Sequence, residues 1–288
     1  MALYAFEDKV LVYAGNADER HTYRCSHCQK PVKARRGLHR VPHFYHLRAS
    51  PSCRLYSKSE DHLVAQLYIR SLLPPGESVI EKPFFELLRV ADVIWEPKKI
   101  VYEIQCSPLT PYEAEKRRDD YRRVGYQLVW ILDDRYYNKR HVKPAEAQIR
   151  TSPCYYATLR SHPAPRFYDQ FEVIAEETRI HRGHRLSVQL ASPCPIPLHP
   201  LEEEEVPKQI LNRSKDLFFK GDLLYRALIA QNEPMVSFSI QNLRALEIAF
   251  QARTKQETSL WRRAILFFIL EPYGHMMRYL LEKAAKRR

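Results

Sequence analysis

The sequence predicts an α/β fold, and three observations on residues 59–132 support this prediction. A helical apolar pattern opens the stretch, three strand-like runs follow, and a second helix precedes one more apolar strand. A helix between two strands can connect them as parallel neighbours of one sheet. The order helix, three strands, helix, strand therefore predicts a mixed sheet with helices packed against it.

The composition favours a multi-part protein with an acidic partner. The 288 residues suggest two domains or one domain with appendages. Lys and Arg exceed Asp and Glu by 46 to 34, and this charge of +12 favours nucleic acid, with an anionic membrane surface as the competing partner. The longest apolar run, residues 264–270, is too short to span a bilayer, and residues 1–9 lack the pattern of a secretion signal. We expect a cytoplasmic protein.

The first segment, residues 1–58, contains a candidate zinc site. Six cysteines are too few for a disulfide framework in a chain of this length, and their clustering indicates a metal. Zinc takes four ligands, and a C-x2-C turn can supply two of them. The alternative is a pair of buried free cysteines with surface histidines. Our predicted ligands, with His43 as the substitute, are Cys25, Cys28, His46 and Cys53.

The next segment begins with a helix and a strand. Residues 57–60 resemble a capping box, the apolar residues that follow have helical spacing, and Pro74-Pro75-Gly76 ends this helix. Residues 78–88 then have the pattern of a strand. We therefore expect the helix to pack beside the first strand of the sheet.

A hairpin follows, with strands 90–95 and 100–105 joined by a four-residue turn. If Trp95 pairs with Ile100, Asp92 lies opposite Glu103, and opposed side chains are about 5 Å apart. Two acids so close inside apolar strands repel each other and favour a cation between them. Gln105 lies on the same face as Glu103, because strand side chains alternate. The alternative is a solvated sheet face, since strand registers can slip.

A second helix and a parallel strand complete the segment. Thr110 is the predicted N-cap, Pro111 the first helical residue and Glu113 the third, and Gly125 follows the predicted end. The apolar residues 126–132 form the next strand. With the helix as a crossover, we expect this strand to run parallel to strand 100–105.

This order, with an Asp on the second strand and Glu-x-Gln on the third, resembles the restriction-endonuclease-like core. The first half of the chain is similar, more closely, to the CoiA family of competence proteins. The resemblance implies a nuclease-like fold with an αβββαβ core and a part in DNA uptake or recombination during natural transformation. The matching motifs are Cys25-x2-Cys28, His43-Phe44-x-His46, Glu60-x-His62, Glu81, Arg89-x2-Asp92-Val93, Glu103-x-Gln105-x-Ser107, Arg117-x3-Tyr121 and Trp130-Ile131-Leu132.

The implied chemistry is metal-assisted hydrolysis of a phosphodiester. Magnesium or manganese takes oxygen ligands, which Asp92, Glu103 and the carbonyl of Ile104 can supply. The wider superfamily has Lys where this chain has Gln105, and Gln cannot carry a positive charge. Three lysines are candidates to stand in for it: Lys58, Lys82 and Lys98.

Further residues are weaker candidates for the same site. Glu60 either faces the metal or only caps its helix, and Glu81 is either a further ligand or a surface acid paired with Lys82. Four residues of the second helix are predicted to bind DNA, although a charged helix face is often only solvated: Arg117, Arg118, Tyr121 and Arg122.

The remaining sequence is more informative about shape. Residues 171–175 and 186–190 flank a basic stretch, 182–185, which we interpret as the tip of a hairpin. A Pro-rich and acidic stretch, 191–206, has the composition of a linker, and helical periodicity dominates from residue 208. The predicted domains are a zinc-ribbon-like domain (1–58), a nuclease-like core (59–150), a hairpin and linker (151–206) and a helical C-terminal region (207–288).

Three functions follow as hypotheses. The first is a metal-dependent DNA endonuclease or exonuclease that acts in transformation and recombination, on single-stranded DNA or recombination intermediates and together with recombination proteins. The second is a non-catalytic DNA-binding accessory factor that retains the nuclease fold, which Gln105 supports. The third is a zinc-ribbon protein with transcription or RNA partners.

Overall fold

The computed structural model of the chain describes residues 1–38, 40–161, 163–194, 210, 212–213, 216–228, 241–250, 252 and 265. Within these residues, five strands form an N-terminal antiparallel sheet in the order β2-β1-β3-β4-β5. The turn between β1 and β2 places Asp8 and Lys9 at positive φ, as two-residue hairpin turns require. The strands are β1 (Tyr4–Glu7), β2 (Val10–Tyr13), β3 (Tyr23–Cys25), β4 (Pro31–Gly37) and β5 (Arg40–His46).

Seven strands form the second sheet, in the order β12-β11-β10-β9-β8-β7-β6. Strands β8, β9 and β10 are parallel, and the strands on either side of them are antiparallel. This mixed sheet confirms the predicted α/β class. Its strands are β6 (Ser78–Phe84), β7 (Arg89–Trp95), β8 (Ile100–Gln105), β9 (Gln127–Asp133), β10 (Cys154–Thr158), β11 (Arg166–Ala175) and β12 (Thr178–Ser187).

Helices and a two-stranded sheet accompany the large sheet. The predicted cap of the second helix is present, because the Thr110 side chain accepts from the Glu113 amide. The predicted capping box over residues 57–60 is wrong: the N-cap is Ser59, whose side chain accepts from the His62 amide, and Glu60 is the first helical residue. The elements are α1 (Glu60–Leu72), α2 (Pro111–Arg123), α3 (Pro144–Ile149), α4 (Leu223–Leu228), a 3-10 turn (Phe85–Leu87), β13 (Pro193–Cys194) and β14 (Phe218–Phe219). The order α1-β6-β7-β8-α2-β9 is the αβββαβ core that the sequence predicts.

The hairpin of β7 and β8 has the predicted register. Trp95 pairs with Ile100 and Val93 with Tyr102, so that Asp92 and Glu103 follow at the next position of each strand. Strand β9 lies parallel to β8, as predicted, with Ile100 beside Gln127.

The large sheet carries a hydrophobic core on each face. On β8, Tyr102 and Ile104 pack in the cluster that contains Leu63 of α1, whereas Val101 packs in the cluster that contains Ala114 and Tyr121 of α2. Because strand side chains alternate, Glu103 lies on the α2 face. The alternation of side chains along β8 therefore places the Glu103 carboxylate beside α2 rather than α1.

The prediction that residues 182–185 form the turn of a hairpin is wrong. These residues lie within β12, where Arg182 pairs with Glu172, and the turn is formed by Glu176 and Glu177, both at positive φ. An edge strand accepts charged side chains as readily as a turn does, because one of its edges faces solvent. The hairpin also continues the seven-stranded sheet rather than standing apart from it.

The C-terminal region is described only in part. Residues 223–228 and 241–250 are helical, in agreement with the helical periodicity of the sequence. Most of the predicted linker, from residue 195 onward, lies outside the described residues, as does most of the predicted region 207–288. No helix in the described part is long and apolar enough to cross a membrane.

Candidate functional site

A cleft of about 490 Å³ opens where the ends of β7 and β8 meet α1, α2 and the segment before α1. Its walls carry charged side chains of both signs. They include Lys58, Asp61, His62, Arg89, Asp92, Glu103, Gln105, Arg117, Tyr121, Asp133, Arg135 and Arg160.

Asp92 lies at the floor of this cleft, on a strand whose residues are all buried. Its Oδ2 accepts a hydrogen bond from the Ile104 amide at 2.8 Å, which ties β7 to β8. Its Oδ1 lies 2.7 Å from Lys58 Nζ and 3.0 Å from His62 Nε2. Burial alone would raise the pKa of Asp92, but the neighbouring His62 and Lys58 hold it well below its usual range. Asp92 is therefore a carboxylate.

Glu103 is buried beside Asp92 and is bound from α2. The Tyr121 hydroxyl donates to its Oε1 at 2.6 Å, and the Arg117 guanidinium donates to its Oε2 at 3.0 Å. Burial and the charge of Asp92 raise the pKa of Glu103 despite the nearby Arg117. The predicted pair of acids is thus present, with environments that move the two pKa values in opposite directions.

Glu81 lies next to this pair but does not line the cleft. Its Oε2 accepts from the amides of Leu3 and Tyr4, at 2.8 and 3.2 Å, and its Oε1 accepts from Lys58 at 3.2 Å. Its backbone has a φ of 54°, which is unfavourable for a residue other than glycine within a strand. Glu81 therefore joins the N-terminal sheet to the cleft through Lys58.

Gln105 lines the cleft, but its amide is directed elsewhere. Its Nε2 donates to the carbonyl and hydroxyl oxygens of Ser107, at 2.8 and 3.3 Å. The predicted convergence of Gln105 with the two acids is therefore limited to a shared cleft. The loop after β8 provides closer partners for the amide than the carboxylates do.

The structure does not bring Glu60 into the cleft. Its carboxylate accepts from the Val41 amide at 3.0 Å, so it links α1 to β5. The alternative, that Glu60 only caps its helix, is also wrong, because Ser59 provides the cap.

The four predicted DNA-binding residues of α2 separate into two groups. Arg117 and Tyr121 point into the cleft and bind Glu103. Arg118 pairs with Glu115 and Asp119 on the outer surface, and Arg122 is exposed. Neither Arg118 nor Arg122 lines the cleft.

Several residues that line the cleft or bind its acids were not predicted as site residues. Gln66 donates to the Asp92 side chain at 3.1 Å, and it lies one turn after His62 on the same face of α1. The spacing of four between these polar residues in an otherwise apolar helix face was the available signal. At the rim, Arg135 and Arg160 both bind Asp61, at 2.7 and 2.9 Å. These three residues are far apart in sequence, and no local pattern relates them.

The N-terminal sheet holds the second candidate site, a cluster of three cysteines and a histidine. The Sγ atoms of Cys25 and Cys53 are 3.6 Å apart, and Cys28 Sγ lies 3.2 Å from His46 Nε2. Ligands of a tetrahedral zinc ion lie about 3.5–3.8 Å from one another, from its usual bond lengths. All four ligand atoms lie within 4.8 Å of one another, so the cluster could hold a structural metal such as zinc.

The alternative ligand, His43, lies outside this cluster. Its Nδ1 contacts the Val41 carbonyl oxygen at 2.8 Å. The cluster is also the only set of three or more His, Cys, Asp or Glu ligand atoms within this distance in the part of the chain that the structure describes. The carboxylates of the cleft therefore do not surround one point as closely as the cysteines do.

Two family models match the chain. A model described as the N-terminal domain of competence protein CoiA matches residues 13–56, and a model described as the nuclease-like domain of CoiA matches residues 59–189. Together they span more than half of the 288 residues. Comparison with curated proteins and with solved structures gives no match. The cysteine cluster lies in the first matched segment, and Asp92 and Glu103 lie in the second.

Proposed function

The chain belongs to the CoiA family of competence proteins, and from this premise we propose that it is a metal-dependent nuclease that acts on DNA in transformation and recombination. The observation that carries the proposal is the pair Asp92 and Glu103, buried side by side on the floor of an open, charged cleft. Buried acids of this kind, with pKa values moved apart by their surroundings, are typical of catalytic sites.

The donor set suits magnesium or manganese by its chemistry. Asp92 and Glu103 offer carboxylate oxygens, and such hard ions prefer oxygen ligands. The Lys58 ammonium now neutralises Asp92 and would have to give up this position. A metal held there would polarise the phosphate and lower the pKa of a bound water.

The residues of the chain have separate parts in this proposal. Tyr121 and Arg117 orient Glu103, and the Ile104 amide orients Asp92. Gln105, bound to Ser107, contributes no charge.

We expect the DNA backbone to lie along the rim, where arginines are exposed, rather than along the outer face of α2. Arg54 and Arg160 have side chains that are 39% and 71% exposed and both line the cleft. Arginine at such positions binds phosphate through its planar fork. The expected substrates are single-stranded DNA or recombination intermediates, with recombination proteins as partners.

The test is cleavage of single- and double-stranded DNA over a titration of Mg²⁺ or Mn²⁺. Asp92→Asn and Glu103→Gln keep the shape of each side chain and remove its charge, so each should lower the cleavage rate by about 100-fold or more. Glu96→Gln is the matched control, because Glu96 pairs with Lys82 in the hairpin turn, outside the cleft. Metal-dependent cleavage that is equal in all four proteins would refute the proposal.

One observation favours a second function, a non-catalytic DNA-binding accessory factor. The oxygens of Asp92 and Glu103 already have partners within the protein, and the Gln105 amide is turned toward Ser107. This function predicts salt-sensitive DNA binding without cleavage, and binding that persists in both charge-removing variants.

A further inference from the structure

The Lys58 ammonium lies between two buried carboxylates. Its Nζ is 2.7 Å from Asp92 Oδ1 and 3.2 Å from Glu81 Oε1, and the side chain is only 8% exposed. Lysine is seldom buried to this degree unless it is paired. Glu81 and Asp92 are on neighbouring strands, so Lys58 bridges two buried acids at this place.

Neither of the other two candidate lysines is available to the cleft. Lys82 Nζ binds Glu96 at 2.6 Å, and Lys98 is exposed in the turn between β7 and β8. Among the described residues that line the cleft, Lys58 is the only lysine. The cleft arginines Arg89 and Arg117 are each bound by two acids through two nitrogens of one planar guanidinium, which fixes its orientation.

Lys58 lies outside the helices and strands of the fold. It lies in the connection before α1, one residue ahead of the N-cap Ser59, and it falls between the two segments that the family models match. Its four-carbon stem and rotatable ammonium can reach more than one partner, unlike the rigid fork of arginine. Ser57 and Ser59 line the same cleft, so the open space begins directly beside the stem.

We propose that Lys58 is the exchangeable cation of this site: it neutralises Asp92 and Glu81 when the carboxylates hold no metal, and it contacts a DNA phosphate oxygen when they do. This inference rests on the proposed function. The physical reason for exchange is repulsion, because an ammonium and a divalent cation cannot share one buried carboxylate oxygen. The reason for the phosphate contact is that Lys58, released from Asp92, lines the cleft and keeps Glu81 as its remaining partner. It would supply the positive charge that Gln105 lacks.

The competing explanation is that Lys58 only neutralises two buried acids and stabilises the fold. The two explanations predict different changes in metal affinity when Lys58 is removed. If Lys58 exchanges with a metal, removing it should strengthen metal binding and weaken DNA binding. If Lys58 is only structural, its loss should weaken both or neither.

The experiment measures Mn²⁺ binding by electron paramagnetic resonance without DNA, and DNA binding by fluorescence anisotropy with Ca²⁺. We expect Lys58→Met to bind Mn²⁺ at least about fivefold more tightly and DNA about tenfold more weakly than the wild type. Lys58→Arg should keep most of the DNA affinity, and Lys82→Met, the matched control outside the cleft, should change neither quantity. Thermal unfolding checks that each variant is folded, and Lys58→Gln, which keeps a hydrogen-bond donor, replaces Lys58→Met if that variant does not fold.

Unchanged or weaker Mn²⁺ binding in the folded variant would overturn the proposal, and so would unchanged DNA affinity. Absence of Mn²⁺ binding in both the wild type and the variant would also overturn it. Failure of the proposed nuclease function is a separate result. A wild type that does not cleave DNA, combined with tighter Mn²⁺ and weaker DNA binding in Lys58→Met, would retain the role of Lys58 and reject catalysis.

Discussion

Single residues of the cleft differ in how far local sequence patterns predict them. Asp92 and Glu103 follow from the two-residue period of the strands and from the register that starts at Trp95 and Ile100. The same strand period predicts the face on which Gln105 lies, but not its partner. Its amide binds Ser107, because the partner depends on the side-chain rotamer and on the neighbouring loop as well as on the face of the strand. Tyr121 was predicted to bind DNA, and in the structure its hydroxyl is committed to Glu103.

Tyr121→Phe tests whether this tyrosine positions Glu103. The change removes the hydroxyl that donates to the carboxylate at 2.6 Å and keeps the ring that packs edge-to-face on Phe84. A buried carboxylate then loses a hydrogen bond, and we expect the free energy of unfolding to fall by about 2 kcal/mol. Urea unfolding measures this change, and DNA affinity without metal should stay within about twofold.

Tyr126→Phe is the matched control for this prediction. The Tyr126 hydroxyl also donates to an acid, Glu96, at 2.7 Å, but that acid is partly exposed and lies outside the cleft. We expect a smaller loss of stability, because water replaces the lost partner. A tenfold loss of DNA affinity in folded Tyr121→Phe, but not in Tyr126→Phe, would instead assign Tyr121 to the DNA interface.

At the scale of elements, the contacts between segments far apart in sequence decide the arrangement. The turn between β14 and α4 packs on the large sheet through Asp222, whose carboxylate accepts from the Tyr155 hydroxyl at 2.7 Å and from the Phe219 amide at 3.0 Å. Gly221 beside it has a φ of 91°, and a Cβ at this position would overlap with the Ser187 carbonyl oxygen. The conformation of this turn therefore depends on the Asp222 carboxylate and on the absence of a side chain at Gly221.

The Asp222 contact predicts a pH dependence of stability. Burial, followed by the charge of Asp169, raises the pKa of Asp222 to about 6. The folded state therefore binds a proton more tightly than the unfolded state, so this contribution to stability is present below pH 4 and is lost as the pH rises through 6. The loss is on the order of 3 kcal/mol, since one pKa unit corresponds to about 1.4 kcal/mol.

Urea unfolding of the wild type and Asp222→Asn between pH 4 and pH 7 measures this effect. Asn cannot lose a proton in this range, so the stability of the variant relative to the wild type should increase as the pH rises. Parallel curves for the two proteins would contradict the assigned pKa. Titrating groups distant from Asp222 contribute equally to both proteins and cancel in the difference.

At the scale of the whole molecule, the N-terminal sheet and the nuclease-like sheet are joined at the cleft. Glu81 of β6 accepts from the amides of Leu3 and Tyr4, and Glu60 of α1 accepts from the Val41 amide. The chain then passes from the metal cluster at Cys53 to Lys58 in five residues. The state of the cluster should therefore affect the geometry of the cleft.

Loss of the metal tests this connection. Cys53→Ala should abolish zinc binding, lower the melting temperature and weaken DNA binding, because folding of small metal sites depends on the ion. Cys194→Ser is the matched control, since Cys194 lies outside the cluster. Metal analysis, thermal unfolding and anisotropy measure the three quantities. Zinc content in Cys53→Ala equal to that of the wild type would contradict the assigned ligand set.

Local patterns in the sequence predict the order of α1, β6–β9 and α2, the register of the β7–β8 hairpin, and the four residues of the cysteine and histidine cluster. Each of these depends on a strand or helix period, a cap, a turn, or the spacing of cysteines. The position of Lys58 between Glu81 and Asp92, and the contact of Glu60 with β5 instead of the cleft, are known from the tertiary structure alone. These contacts join residues that are 19 to 34 positions apart, and the packing of separate elements, which no local period encodes, brings them together.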